Sequence, residues 1–66
     1  MESLIGKNAV VSETIDNLKS AGRVTVNGLS WMARSRDDGK IIEKDAVVRI
    51  IRVEGVKLIV EEEGGN

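Results

Sequence analysis

The sequence predicts an all-β protein, in which five short strands form one sheet that closes into a small barrel. Apolar and polar residues alternate through most of the chain, which is the pattern of half-buried strands rather than of helices. Glycines recur along the chain and separate the strand-like segments. With only 66 residues, the chain is one small domain. Closing a single sheet hides both its edges and its apolar face.

The predicted strands follow one another with short connections, and residues 1–66 are expected to form one soluble domain. The strand ranges are 7–14, 23–27, 29–35, 46–54 and 56–62. The segment ETIDNLKSAG, between the first two strands, is long enough for one helical turn but too short for a stable helix. We expect residues 1–5 and 63–66 to fray, as chain ends do unless they are tied down.

An Asn-Gly dipeptide at 27–28 predicts a two-residue hairpin between the second and third strands. A type I′ turn requires positive φ at both positions, and these residue types tolerate it. The turn fixes the register, so that Val26 opposes Leu29 and Val24 opposes Trp31. These four side chains then share one apolar face. Trp31 is therefore predicted to fill the core rather than to stack on a nucleic-acid base.

A Glu-Gly dipeptide at 54–55 marks a second hairpin, between RIIRV and VKLIV. A two-residue loop there pairs Val53 with Val56. Strict alternation then turns Arg49 toward the core, where an unpaired charge is costly. One extra residue in the strand returns Arg49 to the surface. We therefore predict a β-bulge at residues 51–52, which also adds the bend that a small barrel needs.

The alternation and the two hairpins together define the predicted interior. A five-stranded barrel of the OB type fits this pattern best. An SH3-like barrel is the alternative, but its ligand grooves use several exposed aromatic residues, and this chain has one aromatic residue in all. The predicted core consists of Val24, Val26, Leu29, Trp31, Val48, Ile50, Val53, Leu58 and Val60, together with Ala9, Val11 and Ala33.

Composition argues against several functional classes. The chain has no Cys and no His, so it lacks disulfides, thiolate metal sites and the commonest general base. We expect no enzymatic activity and no cofactor. Basic and acidic residues number 10 and 11, whereas a nucleic-acid binder usually has a clear basic excess. A small single-stranded nucleic-acid-binding OB domain is the alternative function, supported by fold analogy alone.

Two charged segments invite a functional interpretation and are explained more simply. The sequence Asp-Asp-Gly at 37–39 resembles the start of a calcium loop but lacks the later acidic ligands, so it predicts a turn. Its neighbours Arg34, Arg36 and Lys40 form a short basic cluster, which is either part of a solvated loop or a polar contact to a partner protein or to lipid headgroups. The three glutamates at 61–63 are expected to be a solubilising strand end rather than a metal or catalytic cluster.

Five residues are the candidate partner-binding positions. Arg23, Met32 and Arg34 lie on the predicted outer face of the second and third strands, and methionine and arginine are both enriched at protein interfaces. Ile15 and Leu18 lie in the long segment between the first two strands, where they either cap the end of the barrel or form a second small apolar patch. Either group could present a contact surface to another protein.

Three segments resemble the C-terminal domain of NfeD-family membrane proteins. They are LIGKNAVV, GRVTVNGLSWMARS and IIEKDAVVRIIRVEGVKLIVEE. The resemblance covers nearly the whole chain, and its closing strand pair is the most specific part. The chain departs from the family pattern at Ala9 and Asp45, where the family often has glycine, and it has no proline. The matching positions are Gly6, Gly22, Val24, Trp31, Ala33, Ser35, Ile42, Lys44, Val48, Ile50, Val53, Gly55, Leu58 and Val60.

The resemblance implies an OB-fold domain that lies beside a membrane, with membrane helices preceding it in the parent protein. It implies a stomatin-, prohibitin- or flotillin-like membrane scaffold as the partner, and a part in regulating membrane protein quality control. The cytoplasmic side of the membrane is favoured, and self-association is left open. Longer family members carry a serine-protease domain, and nothing in this chain matches its Ser-Lys chemistry.

Overall fold

A computed structural model describes residues 3–63 of the chain. The residues at 1–2 and 64–66, on which part of the fraying expectation falls, lie outside the described residues. No helix within the described range is long and apolar enough to cross a membrane. The elements are β1 (Asn8–Asp16), a 3-10 turn (Asn17–Lys19), β2 (Ala21–Val26), β3 (Leu29–Ser35), β4 (Val47–Glu54) and β5 (Lys57–Glu62).

The five strands form a closed barrel in the order β1-β2-β3-β5-β4, with β4 pairing back to β1. The β3–β5 pair is parallel and every other pair is antiparallel. The predicted five-stranded OB-type barrel is thereby confirmed. Because β1, β3 and β5 run in one direction, they all begin at the same end of the barrel.

The two ends of the barrel therefore differ in what they carry. The end where β1, β3 and β5 begin bears both hairpin turns, at 27–28 and 55–56, and is called the hairpin end below. The opposite end bears the 3-10 turn, the β3–β4 loop at 36–46 and the end of β5.

The β2–β3 hairpin has the predicted turn and register. Asn27 and Gly28 have φ angles of 52° and 77°, so both loop residues are in the left-handed region that a type I′ turn requires. Val26 pairs with Leu29 and Val24 pairs with Trp31, as predicted.

The β4–β5 hairpin confirms the predicted bulge but corrects the predicted turn. The register shifts between Ile50 and Arg52, so one extra residue lies there as expected. The predicted pairing of Val53 with Val56 is wrong, because the loop is one residue further along and Glu54 pairs with Lys57. Glycine at position 55, with φ of 60°, is thus the first loop residue. That is the position at which a type II′ turn needs glycine.

The barrel interior holds most of the predicted core, but three predicted core residues need correction. Leu29 and Val53 are 62% and 44% exposed, and Trp31 is only half-buried against the core. All three face inward by alternation, yet they lie at the hairpin end, where Leu4 of the segment that enters β1 packs against the core but leaves these side chains partly exposed. The buried cluster consists of Ala9, Val11, Ile15, Val24, Val26, Ala33, Ile42, Val48, Ile50, Leu58 and Val60.

A pair of isoleucines closes the opposite end of the barrel. Ile15 and Ile42 exchange two backbone hydrogen bonds, of 2.8 and 3.0 Å, and each is at most 1% exposed. The prediction that Ile15 lies on a partner-binding surface is therefore wrong. Two irregularities in β1, after Val11 and after Glu13, lengthen the strand and return Ile15 to the interior.

Glycine is required at position 22 for steric reasons. Gly22 is buried with φ of 140°. A Cβ atom there would lie 2.8 Å from the carbonyl oxygen of Ala33 and 2.8 Å from the Cα of Ile15. Real Cβ atoms do not approach backbone atoms this closely, so β1, β2 and β3 meet at this point only because the side chain is absent.

Candidate partner-binding surfaces

The outer face of β2 and β3 presents Arg23 and Met32 side by side. These two residues are cross-strand partners. Arg23 is exposed and its Nε donates a 2.9 Å hydrogen bond to the Oγ of Ser30, while Met32 is half-buried. The only aromatic residue of the chain, Trp31, points to the other side of the sheet. Trp31 reaches the edge of this face only in the groove that it shares with Arg23 and Met32, so the face lacks the row of aromatic side chains on which single-stranded nucleic acids stack.

Arg34, the third residue predicted for this face, bonds to the backbone of its own chain. Its guanidinium donates to the carbonyl oxygens of Ser20 at 2.7 Å, Ala33 at 2.7 Å and Gly22 at 3.3 Å. These contacts hold the end of the 3-10 turn against β2 and β3. Arg34 is thus a positioning residue for the 3-10 turn.

Asn17 fastens the same turn from its other side. Its amide oxygen accepts from the N–H of Ser35 at 2.8 Å, and its amide nitrogen donates to the carbonyl of Ser35 at 2.8 Å. The same nitrogen donates to Oδ1 of Asp38 at 2.7 Å. The Asn17 side chain thereby supplies to the end of β3 the hydrogen bonds that a neighbouring strand would otherwise supply. Sequence analysis missed Asn17, because an asparagine in a polar segment carries no distinguishing pattern.

Leu18 lies at the tip of the turn that these contacts hold. It is 83% exposed, the highest fraction among the large apolar side chains described. Its N–H donates to Oδ1 of Asp16 at 3.1 Å, and Ser20, with φ of 53°, donates to the carbonyl of Asn17 at 3.1 Å. The structure therefore presents Leu18 to solvent on a fixed backbone, and its role as a contact residue stays a prediction.

A second apolar surface lies at the hairpin end. Leu29, Trp31, Met32 and Val56 line a shallow groove there, together with Arg23 and Ser30. Val56 is 71% exposed. We call this surface the hairpin-end groove. Leu29 and Trp31 reach it because the inner layer of the barrel is open at this end.

The glutamates near the end of β5 form ion pairs. Glu61 contacts Arg36 at 3.0 Å and Arg49 at 3.1 Å, and Arg49 also lies 3.7 Å from Glu63. Hydrogen bonds from Arg49 and Arg36 lower the pKa of the Glu61 carboxyl, and the same contact with Glu61 raises the pKa of Arg49. Within residues 3–63, no group of three acidic side chains is arranged to hold a metal ion.

Comparison with known proteins places the chain in a family. It belongs to the NfeD-like C-terminal, partner-binding domains, whose family profile matches residues 1–62. The resemblance inferred from the sequence is therefore confirmed. One relative, the membrane-bound protease PH1510 of Pyrococcus horikoshii, is 37% identical over 68 residues. That alignment covers 98% of this chain but only 14% of the relative's length.

Two solved structures share the fold. The soluble domain of a membrane protein implicated in regulation of membrane protease activity, from Corynebacterium glutamicum, superposes with a TM-score of 0.85 at 31% identity, covering 92% of this chain and 94% of that one. The C-terminal domain of stomatin operon partner protein 1510-C from Pyrococcus horikoshii gives a TM-score of 0.79 at 37% identity, with coverages of 94% and 91%.

Proposed function

We propose that this chain is a non-catalytic module that docks a stomatin-, prohibitin- or flotillin-like scaffold. In a membrane-anchored parent, it would help to regulate membrane protein quality control. The similar domain from Pyrococcus horikoshii is named as a stomatin operon partner. The similar domain from Corynebacterium glutamicum comes from a membrane protein implicated in protease regulation. The absence of His and Cys from the chain is in keeping with a role that is not catalytic.

The observation that carries this proposal is Leu18 on its fixed turn. An exposed leucine in a mobile loop would have to be ordered when a partner binds, which reduces affinity. Here Asn17 and Arg34 have already fixed the backbone on both sides of Leu18. The entropic cost of ordering the turn therefore does not reduce the affinity that the leucine contributes. An apolar pocket on the scaffold protein is the complementary surface.

The charges at this end of the barrel favour a partner whose apolar pocket is surrounded by basic residues. Acidic side chains outnumber basic ones at the end of the barrel that bears Leu18. Their carboxylates lie in the flank of the 3-10 turn, in the β3–β4 loop and at the end of β5. Complementary charges speed encounter and select among partners more than they add affinity. The association rate should consequently fall as the salt concentration is raised, whereas the apolar contact of Leu18 should be retained.

The experiment measures binding of the chain to a stomatin-like protein from the same organism by isothermal titration calorimetry. Burying a leucine side chain is worth about 1.5–3 kcal/mol, so Leu18→Ala is expected to weaken binding by roughly ten- to a hundredfold. Leu29→Ala is the matched control, because Leu29 is another exposed leucine but lies at the hairpin end. Its affinity should equal that of the unchanged chain.

Two results would contradict the proposal at different levels. If the unchanged chain fails to bind the scaffold protein, the proposed partner class is wrong. If it binds and Leu18→Ala binds equally well, the 3-10 turn is not the docking site. Circular dichroism of each variant establishes that the barrel is folded, which is expected because Leu18 makes little contact with the core.

A further inference from the structure

We propose that the hairpin end of the barrel is a membrane-contacting surface that rests on the headgroup layer of an anionic lipid bilayer. This goes beyond docking of a scaffold protein, which the proposed function places at the opposite end. Three features of the hairpin end support it: its exposed apolar side chains, its excess of positive charge and the point at which the chain enters the barrel.

Three of the eight exposed large apolar side chains in the described range lie at or beside the two hairpin turns. Val56 is 71% exposed, Leu29 is 62% exposed and Val53 is 44% exposed. Trp31 lies between them in the hairpin-end groove. Clustered exposed apolar side chains mark interaction surfaces. Tryptophan in particular favours the interface between apolar and aqueous phases, where its ring is half immersed.

The charges around the groove suit an anionic lipid surface. Arg23 lines it and Lys57 is the cross-strand neighbour of Met32. Neither forms a salt bridge with any residue in the described part of the chain, although Glu13 is the cross-strand partner of Arg23. Arg52 is paired with Glu54 beside the second hairpin turn. Basic side chains near anionic lipid each contribute to binding, and long basic side chains reach the headgroups while their stems cover apolar surface.

The opposite end has the reverse charge, so the barrel is polarised along its axis. Its acidic residues number eight and its basic residues six among those described. An anionic surface would therefore attract one end and repel the other, which orients the domain. The acidic residues are Asp16, Asp37, Asp38, Glu43, Asp45, Glu61, Glu62 and Glu63, and the basic ones are Lys19, Arg34, Arg36, Lys40, Lys44 and Arg49.

The path of the chain brings the same end toward the membrane. Residues 3–7 lead into β1 at the hairpin end, where Gly6 donates a 2.8 Å hydrogen bond to the carbonyl of Ile50. The family is described as one of C-terminal domains, and in a parent protein built in this way the preceding chain would arrive at this segment. This step rests on the proposed membrane anchorage of the parent. The two hairpin turns then lie on the side from which the anchored chain arrives.

The test titrates the chain with unilamellar vesicles and follows the emission of Trp31, the only tryptophan in the sequence. Vesicles of phosphatidylcholine with about a third phosphatidylglycerol are compared with pure phosphatidylcholine. We expect emission to shift to shorter wavelength, with binding roughly ten- to thirtyfold tighter on the anionic vesicles, as two basic side chains near the surface provide. Leu29→Ser and Val56→Ser should each weaken vesicle binding several-fold, and Leu18→Ser should not.

Charge substitutions separate the electrostatic contribution. Arg23→Gln together with Lys57→Gln should remove most of the preference for anionic vesicles, whereas Lys44→Gln, at the opposite end, should leave it intact. The proposal is overturned if Trp31 emission is unchanged at millimolar lipid. It is equally overturned if Leu29→Ser and Val56→Ser abolish binding of a stomatin-like protein in solution, because a protein then occupies the groove. If the chain binds a stomatin-like protein through Leu18 but does not bind vesicles, only the membrane proposal is refuted. Each proposal can therefore be refuted without the other.

Discussion

Replacing Asn17 with alanine tests whether one side chain holds the 3-10 turn to the barrel. In the structure the Asn17 amide pairs with both the N–H and the C=O of Ser35, each at 2.8 Å. Ser35 is only 5% exposed. The substitution therefore leaves a buried donor and a buried acceptor without their partner. No other side chain within residues 3–63 hydrogen-bonds to these two backbone groups, so none replaces it.

The size of the effect follows from that burial. A buried polar group left unpaired costs about 1–3 kcal/mol. Because the turn lies at the surface, water can reach part of the gap, and we expect a loss of about 2 kcal/mol rather than the full sum. For a domain of this length, that corresponds to a fall in melting temperature of roughly 8–16 °C. Total stability is on the order of 3–10 kcal/mol, so the variant should still fold at room temperature.

The assay compares thermal unfolding of Asn17→Ala with that of Asn8→Ala. Asn8 is the matched control, since its amide makes one long, partly buried contact of 3.4 Å to the carbonyl of Val48. The control should lose less than about 0.5 kcal/mol. Equal losses in the two variants would refute the reasoning. The same Asn17→Ala protein should also bind a stomatin-like partner more weakly, because Leu18 then sits on a mobile turn.

Three further predictions concern backbone and charge. Gly22→Ala should prevent stable folding by circular dichroism, because its Cβ would lie 2.8 Å from backbone atoms at φ of 140°, whereas Gly39→Ala meets only ordinary contacts and should fold normally. Asp45→Gly should raise the free energy of unfolding by roughly 0.5–1 kcal/mol in urea, since Asp45 has φ of 78°; a lower urea midpoint would contradict this. Arg49 lowers the pKa of Glu61, so the pair stabilises the fold above the unfolded-state pKa of Glu61 and this contribution is lost as pH falls through the folded-state pKa. Glu61→Gln should therefore flatten the acid side of a stability profile measured between about pH 3 and 7, and an unchanged profile would refute it.

Local features of the barrel were predictable because their causes lie within a few residues. The Asn-Gly turn at 27–28 fixes its own φ angles and hence the pairing of Val24 with Trp31. The bulge after Ile50 could be deduced because the alternative turns Arg49 inward, where it would lack a partner. Only the turn next to Gly55 was misplaced by a residue, since sequence does not show which of the two loop positions glycine occupies.

Features that depend on several strands at once were not predictable. Ile15 is buried because two irregularities in β1 combine with a bridge to Ile42, which lies far along the chain. The fastening of Leu18 by Asn17 and Arg34 is set by where three strands end relative to one another. Neither the burial of Ile15 nor the fastening of Leu18 corresponds to a periodic pattern in the sequence. Only Leu18 itself could therefore be proposed as a contact residue from the sequence.

The misassignment of Leu29 and Val53 to the core bears directly on function. Alternation determines which face of a strand a side chain occupies, but not its height along the barrel axis. At the opposite end, Ile15 and Ile42 are fully buried and close the last inward-facing layer, whereas at the hairpin end the half-buried Leu4 covers the core only in part. A barrel this small buries little apolar surface on folding. The exposure of Leu29, Val53 and Val56 reduces that buried surface further. An anionic membrane surface that covers the hairpin end would account for its exposed apolar side chains and for the basic side chains beside them. We therefore assign the hairpin end to the bilayer and the fixed turn at the other end to the protein partner.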